Sequence, residues 1–106
     1  MFVIRIWDMI KRIVRMKFKP GCESSFIDIF QRSALAIRSF KGCHHVELLN
    51  DINDPLVFTT LSFWETEEAL ELYRSSELFR STWAKTKLLF DEKPQANSYS
   101  CIEILD

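Results

Sequence analysis

The chain has 106 residues, 47% of them apolar and 13% aromatic, with only 2 Gly and 3 Pro. That is enough for one domain with a core, and it excludes collagen-like, linker-like and Pro-rich disordered classes. With 14 basic residues against 15 acidic ones the net charge is -1, which gives no electrostatic footing for nucleic acid.

Residues 1–9 read as an N-terminal extension, and 10–106 as a single domain. The stretch from Met1 to Trp7 is apolar, but Arg5 interrupts it and Asp8 follows, so it lacks the apolar core of a signal peptide. No apolar run is long enough to span a membrane. In residues 10–19, Ile10, Val14, Met16 and Phe18 alternate with Arg15, Lys17 and Lys19, the pattern of a half-buried strand. Pro20-Gly21 ends it. Residues 22–40 place Phe26, Ile29, Phe30, Ser33 and Ile37 at helical spacing, and Gly42 stands where a left-handed cap is wanted.

A second strand over 43–49 puts His44, Val46 and Leu48 on one face and His45, Glu47 and Leu49 on the other. A polar turn leads to a third strand, Leu56 to Trp64, making an antiparallel hairpin. Thr66 is the expected N-cap of a helix reaching about Tyr73, with Glu67 and Glu68 in its first turn. Ser75-Ser76 opens a further helix to about Phe90, and Asn97 to Ile104 alternates as a last strand. The order β-α-β-β-α(α)-β is that of a ferredoxin-like α+β sandwich with helices on one sheet face. A domain this short buries only about 65% of its unfolded surface. The bare sheet face therefore calls for a partner, and a homodimer through the sheets, a dimeric α+β barrel, is expected.

A strand ending in Phe63-Trp64, followed by Glu65-Thr66-Glu67-Glu68-Ala69-Leu70 and then Ser76-Glu77-Leu78-Phe79-Arg80, is a familiar combination. With Pro20-Gly21, Gly42 and Asp54-Pro55 in their places, the chain resembles the antibiotic-biosynthesis monooxygenase family of small dimeric α+β barrels over residues 10–105. The resemblance implies that fold, and among its activities cofactor-free oxygenation, heme degradation and sugar-phosphate isomerisation. The Asn, Trp and His of the heme-degrading branch fall at Val14, Tyr73 and Trp83, and the His positions of the isomerase branch at Tyr73 and Leu78, so neither residue set is kept.

Cofactor-free oxygenation needs an apolar site that holds a substrate anion near oxygen, with a base or hydrogen-bond partners. The expected catalytic residues are Trp64, Tyr73 and His44. The indole N–H of Trp64 could orient a substrate oxygen, and Tyr73 could hydrogen-bond a carbonyl. Trp83, Phe79 and His45 are the expected substrate-binding residues. Corner packing for Trp64, core packing for Trp83 and surface roles for the histidines are the structural alternatives. His44 and His45 are adjacent on a strand, so they cannot share a metal. His44, with Val46 and Leu48, is the one expected against the apolar interior.

Arg80 with Lys85 or Lys87 could frame an entrance for an anion. Cys22, Cys43 and Cys101 have neither disulfide nor metal spacing, which suits a reducing, cytoplasmic setting. The expectation is a cofactor-independent monooxygenase of a small aromatic or quinol-like compound, working without metal or flavin and binding neither nucleic acid nor membrane. A non-catalytic ligand-binding dimer is the first alternative. The second is a cofactor-free isomerase using His44 or His45 with Glu47.

Overall fold

The computed structural model describes residues 8–105. Of the expected extension over 1–9, residues 1–7 lie outside the described part, while Met9 is already buried. The elements are β1 (Ile10–Lys17), α1 (Glu23–Arg38), β2 (Cys43–Asn50), β3 (Val57–Trp64), α2 (Glu67–Arg74), α3 (Glu77–Thr86) and β4 (Gln95–Ser100). All strand pairs are antiparallel in the order β2-β3-β1-β4, the ferredoxin-like topology expected.

Alternation along the strands divides the sheet into two faces. Ile10, Val14 and Met16 share the helix-side face with Phe58, Thr60, Ser62 and Trp64, their register partners or neighbours. The opposite face carries Ile13, Leu61 and Phe63.

Local chemistry sets the helix ends. Thr66 Oγ1 accepts from the Ala69 N–H at 3.0 Å, and Ser76 Oγ accepts from the Phe79 N–H at 3.1 Å. Both caps are where the sequence places them. At the start of α1, Cys22 offers no side-chain cap. Gly42, at φ +89°, turns the chain from α1 into β2. A Cβ there would meet the Ala69 Cβ at 2.5 Å, so this corner needs glycine for space as well as for conformation.

Several boundaries differ from expectation, α1 among them, which ends at Arg38 rather than at 40. β1 stops at Lys17, and Phe18 makes an isolated bridge with Phe90 instead. α3 ends at Thr86, and a short 3-10 turn covers Lys87–Leu89. β4 is Gln95–Ser100 rather than Asn97 to Ile104. Its register runs from Arg15↔Gln95 to Ile10↔Ser100, so the length of β1 decides where it ends.

The core lies between sheet and helices in two clusters. Met16, Phe18, Phe26 and Phe58 form one, with the Phe18 ring 4.2 Å from Phe26 and 5.4 Å from Phe90. Cys43, Trp64 and Leu70 form the other, flanked by Ile10, Phe40, Val46 and Tyr73.

Candidate functional site

A cavity of about 270 Å³ lies between the helix-side face of the sheet and the helices. One wall is a continuous aromatic run. Trp64 stacks on Tyr73 at 4.8 Å, Tyr73 meets Phe79 edge-on at 5.3 Å, and Phe79 stacks on Trp83 at 5.7 Å. Trp83 then meets Phe90 of the neighbouring cluster at 5.4 Å. β3 delivers Trp64, the last residues of α2 deliver Tyr73, and α3 presents Phe79 and Trp83 one turn apart. Val14, Val46 and Phe30 line the cavity from β1, β2 and α1.

Four of the six residues expected from sequence thus share one cavity: Trp64, Tyr73, Phe79 and Trp83. His44 and His45 lie outside it. His45 pairs with Phe63 in register and packs its ring 4.7 Å from that Phe, on the sheet face away from the cavity. Its Nε2 lies 3.1 Å from Glu47 Oε2, as the alternation implies. The expectation that His44 lies against the apolar interior fails for a local reason. A β-bulge between Cys43 and His45 gives Trp64 and Phe63 the partners Cys43 and His45, leaving His44 as the extra residue. Cys43, not His44, enters the core, and His44 Nε2 pairs with Glu65 Oε1 at 2.6 Å.

The polar groups of the cavity have distinct states. Trp64 is 1% exposed, and its indole N–H donates to Ser62 Oγ at 2.9 Å. That donor is therefore already used, and Trp64 presents a ring face rather than an N–H. The Tyr73 hydroxyl takes part in no hydrogen bond among the described residues. Burial, with a smaller contribution from nearby Cys43, pushes its pKa up to about 12. At neutral pH Tyr73 is therefore a protonated donor and not a base. Burial likewise pushes the Cys43 thiol up, against the opposing pull of a backbone contact to His45 and the charge of Arg38. Thr60, Thr82 and Thr86 add hydroxyls, with that of Thr86 donating to the Thr82 carbonyl at 2.8 Å. No carboxylate or imidazole of the described residues lines the cavity.

The sequence reading missed both charged residues of the cavity, Arg12 on β1 and Arg74 at the end of α2, along with the threonines. Arg12 had a visible signal. It is the one charged position on the face shared by Ile10, Val14 and Met16. The basic residues singled out as an entrance are elsewhere. Arg80 donates to the Ser75 carbonyl and pairs with Glu77, and Lys85 borders a wider groove between α1 and α3 that has no aromatic wall. Among the described residues no cluster of His, Cys, Asp and Glu could hold a metal, and no helix is long and apolar enough to cross a membrane.

Known proteins with this architecture are numerous. A protein from Methanosarcina mazei Go1 superposes with a TM-score of 0.84 at 19% identity, over 90% of this chain and 95% of its own. A solved antibiotic biosynthesis monooxygenase gives 0.84 at 18% identity, over 90% of this chain and 100% of its own. A protein from Mycobacterium tuberculosis gives 0.84 at 14% identity, over 92% and 99%. At these identities the likeness is one of fold. No curated protein matches the chain. The family model described as antibiotic biosynthesis monooxygenase matches residues 9–85, and the chain belongs to the antibiotic biosynthesis monooxygenase family.

Proposed function

We propose that the chain is a cytoplasmic, homodimeric, cofactor-independent monooxygenase of a small aromatic or quinol-like compound. The observation that carries this reading is the cavity itself: an aromatic wall from Trp64 to Trp83 beside about 270 Å³, lined also by Tyr73, whose hydroxyl has no hydrogen-bond partner among the described residues. Such a volume lies just below the usual range for ligand sites and suits a planar compound of up to three fused rings. In this reading Trp64, Phe79 and Trp83 hold the rings, and the Tyr73 O–H donates to a substrate oxygen. An anthrone-like substrate supplies every electron. It loses a proton to water at the open side, and its anion reduces O2. Carbon–oxygen bond formation and loss of water then leave a carbonyl, with one oxygen atom in the product and one in water.

Membership of the family supports the general class of activity. The dimer is proposed through the sheet face opposite the cavity, which presents Ile13, Leu61 and Phe63. Light scattering should then give about twice the 12.6 kDa chain mass, and a monomer at micromolar concentration removes that contact.

Oxygen uptake by the purified protein, across a panel of reduced quinols and anthrone-like phenols, tests the activity. Saturable uptake above the protein-free rate, lowered at least tenfold by Tyr73→Phe, is expected. A second reading has its own support, since no base of the described residues lines the cavity: a dimer that binds such a ligand without converting it. Tight binding of panel compounds with no uptake selects that reading.

A further inference from the structure

Arg12 occupies an unusual place. It stands on the helix-side face of β1 between Ile10 and Val14, and its side chain lines the aromatic cavity. Its one hydrogen bond among the described residues is from Nη1 to Ser98 Oγ at 3.0 Å, a neutral acceptor. A guanidinium carries five N–H donors in a planar fork, so most of its donor capacity is unspent. Arg74 lines the same cavity from α2 and is the exposed member, its Nη1 3.3 Å from Glu71 Oε2. That pair is solvent-exposed and weak. The two like charges are close enough to interact. Burial, then the charge of Arg74, lower the pKa of Arg12, with Glu71 pulling the other way. A cation that is partly desolvated, faces a second cation and has no carboxylate partner among the described residues is arranged for an anion that arrives with the ligand.

We propose that Arg12 and Arg74 form a clamp for the ionised oxygen, carboxylate or phenolate, of an aromatic ligand whose rings lie along Trp64, Tyr73, Phe79 and Trp83. This deepens the reading above, since it rests on the cavity being the substrate site. It also supplies what the missing base does not. Two guanidiniums favour the ionised form of an acidic substrate oxygen.

The test titrates the full chain with 2-naphthoate and with its neutral counterpart 2-naphthamide, followed by tryptophan fluorescence. The acid should bind about tenfold or more tightly than the amide, the size of a charge-assisted contact. Arg12→Gln should remove that preference and leave amide binding unchanged, and Arg12→Lys should keep part of it. Arg74→Gln should weaken the acid by a smaller factor, because Arg74 is more hydrated. Equal affinity for acid and amide, absence of binding by both, or an equal loss for both in Arg12→Gln overturns the clamp. Thermal unfolding checks that the variant folds. If it does not, the unmodified protein decides: the acid-to-amide ratio must fall as salt rises, and a ratio that ignores salt overturns the proposal. Absorbance of bound 2-naphthol separates the two sources, a naphtholate spectrum pointing to phenolate and a neutral one to carboxylate. Because binding is read without turnover, acid preference without oxygen uptake overturns the oxygenase reading alone. Oxygen uptake with no acid preference overturns the clamp alone.

Discussion

Two aromatic groups fill the space between sheet and helices, and they are built differently. Around Phe18, four phenylalanine rings close on one another, with Phe18 itself 0% exposed. From Trp64 to Trp83 the rings form a wall beside open volume, and three of them, Trp64, Tyr73 and Trp83, carry polar tips. The rings around Phe18 have nothing to hydrogen-bond and close on one another, with Phe26 and Phe30 also reaching the edge of the cavity. Trp64, Tyr73 and Trp83 each carry a donor, and among the described residues only that of Trp64 is hydrogen-bonded, to Ser62. The closed group stabilises the domain, and the open group leaves room and an unused hydroxyl for a ligand.

The sharpest way to break this contrast is Phe18→Ala. Removing a ring at the centre of the closed group should cost about 3–5 kcal/mol, read by denaturant unfolding. A loss below ~1 kcal/mol would mean that the group is not the stabilising centre. Gly42→Ala acts at the other end. The Gly42 carbonyl accepts from the Glu65 N–H at 2.8 Å, so this corner ties the entry of β2 to the exit of β3 beside Trp64. Positive φ and a Cβ clash with Ala69 together should cost about 2–3 kcal/mol. Unlike Phe18→Ala, this change should also disturb the open group, seen as an altered near-UV signal from Trp64.

The same contrast explains what could be read from sequence. Strand alternation in β1, the Val, Phe and Thr content of β3, helical spacing in α1, and the Thr66 and Ser76 caps are local signals, so those elements were legible. The aromatic wall was legible too, because Phe79 and Trp83 lie one turn apart and Tyr73 and Trp64 flank the same corner. The fate of His44 was not. A bulge shifts the face of a strand by one residue, and nothing in Cys43-His44-His45 announces it. Arg12 stood in plain view as a break in an apolar face, but its meaning depends on Arg74, which arrives from α2. The end of β4 was illegible for a similar reason, being set by its partner strand.

Tyr73 sharpens the contrast through pH. Its pKa in the folded chain is about 12, above the ordinary value near ~10. The unfolded chain therefore loses this proton first as pH rises. The stabilisation is fully present below about pH 10 and is lost progressively between about 10 and 12, reaching about 2–3 kcal/mol. Stability should fall over that window in the unmodified protein, and Tyr73→Phe should flatten the fall. Equal slopes would place the Tyr73 hydroxyl in water rather than at the edge of an apolar cavity.

Ser62→Ala probes the smallest difference, the partner that Trp64 has and that Tyr73 lacks among the described residues. The indole N–H and Ser62 Oγ are 2.9 Å apart, and both residues are buried. Deleting the hydroxyl leaves a donor unpaired, which costs about 1–3 kcal/mol when nothing replaces the acceptor. Here the cavity adjoins the bond, so water can enter and take the N–H, and the loss should fall near ~1 kcal/mol. The freed N–H then faces the cavity as a second donor beside the Tyr73 hydroxyl. A ligand with a carbonyl oxygen should bind Ser62→Ala at least as well as the unmodified protein, although the domain is less stable. If stability and binding fall together instead, Ser62 shapes the cavity itself, and the separation between a closed stabilising group and an open binding group fails at that residue.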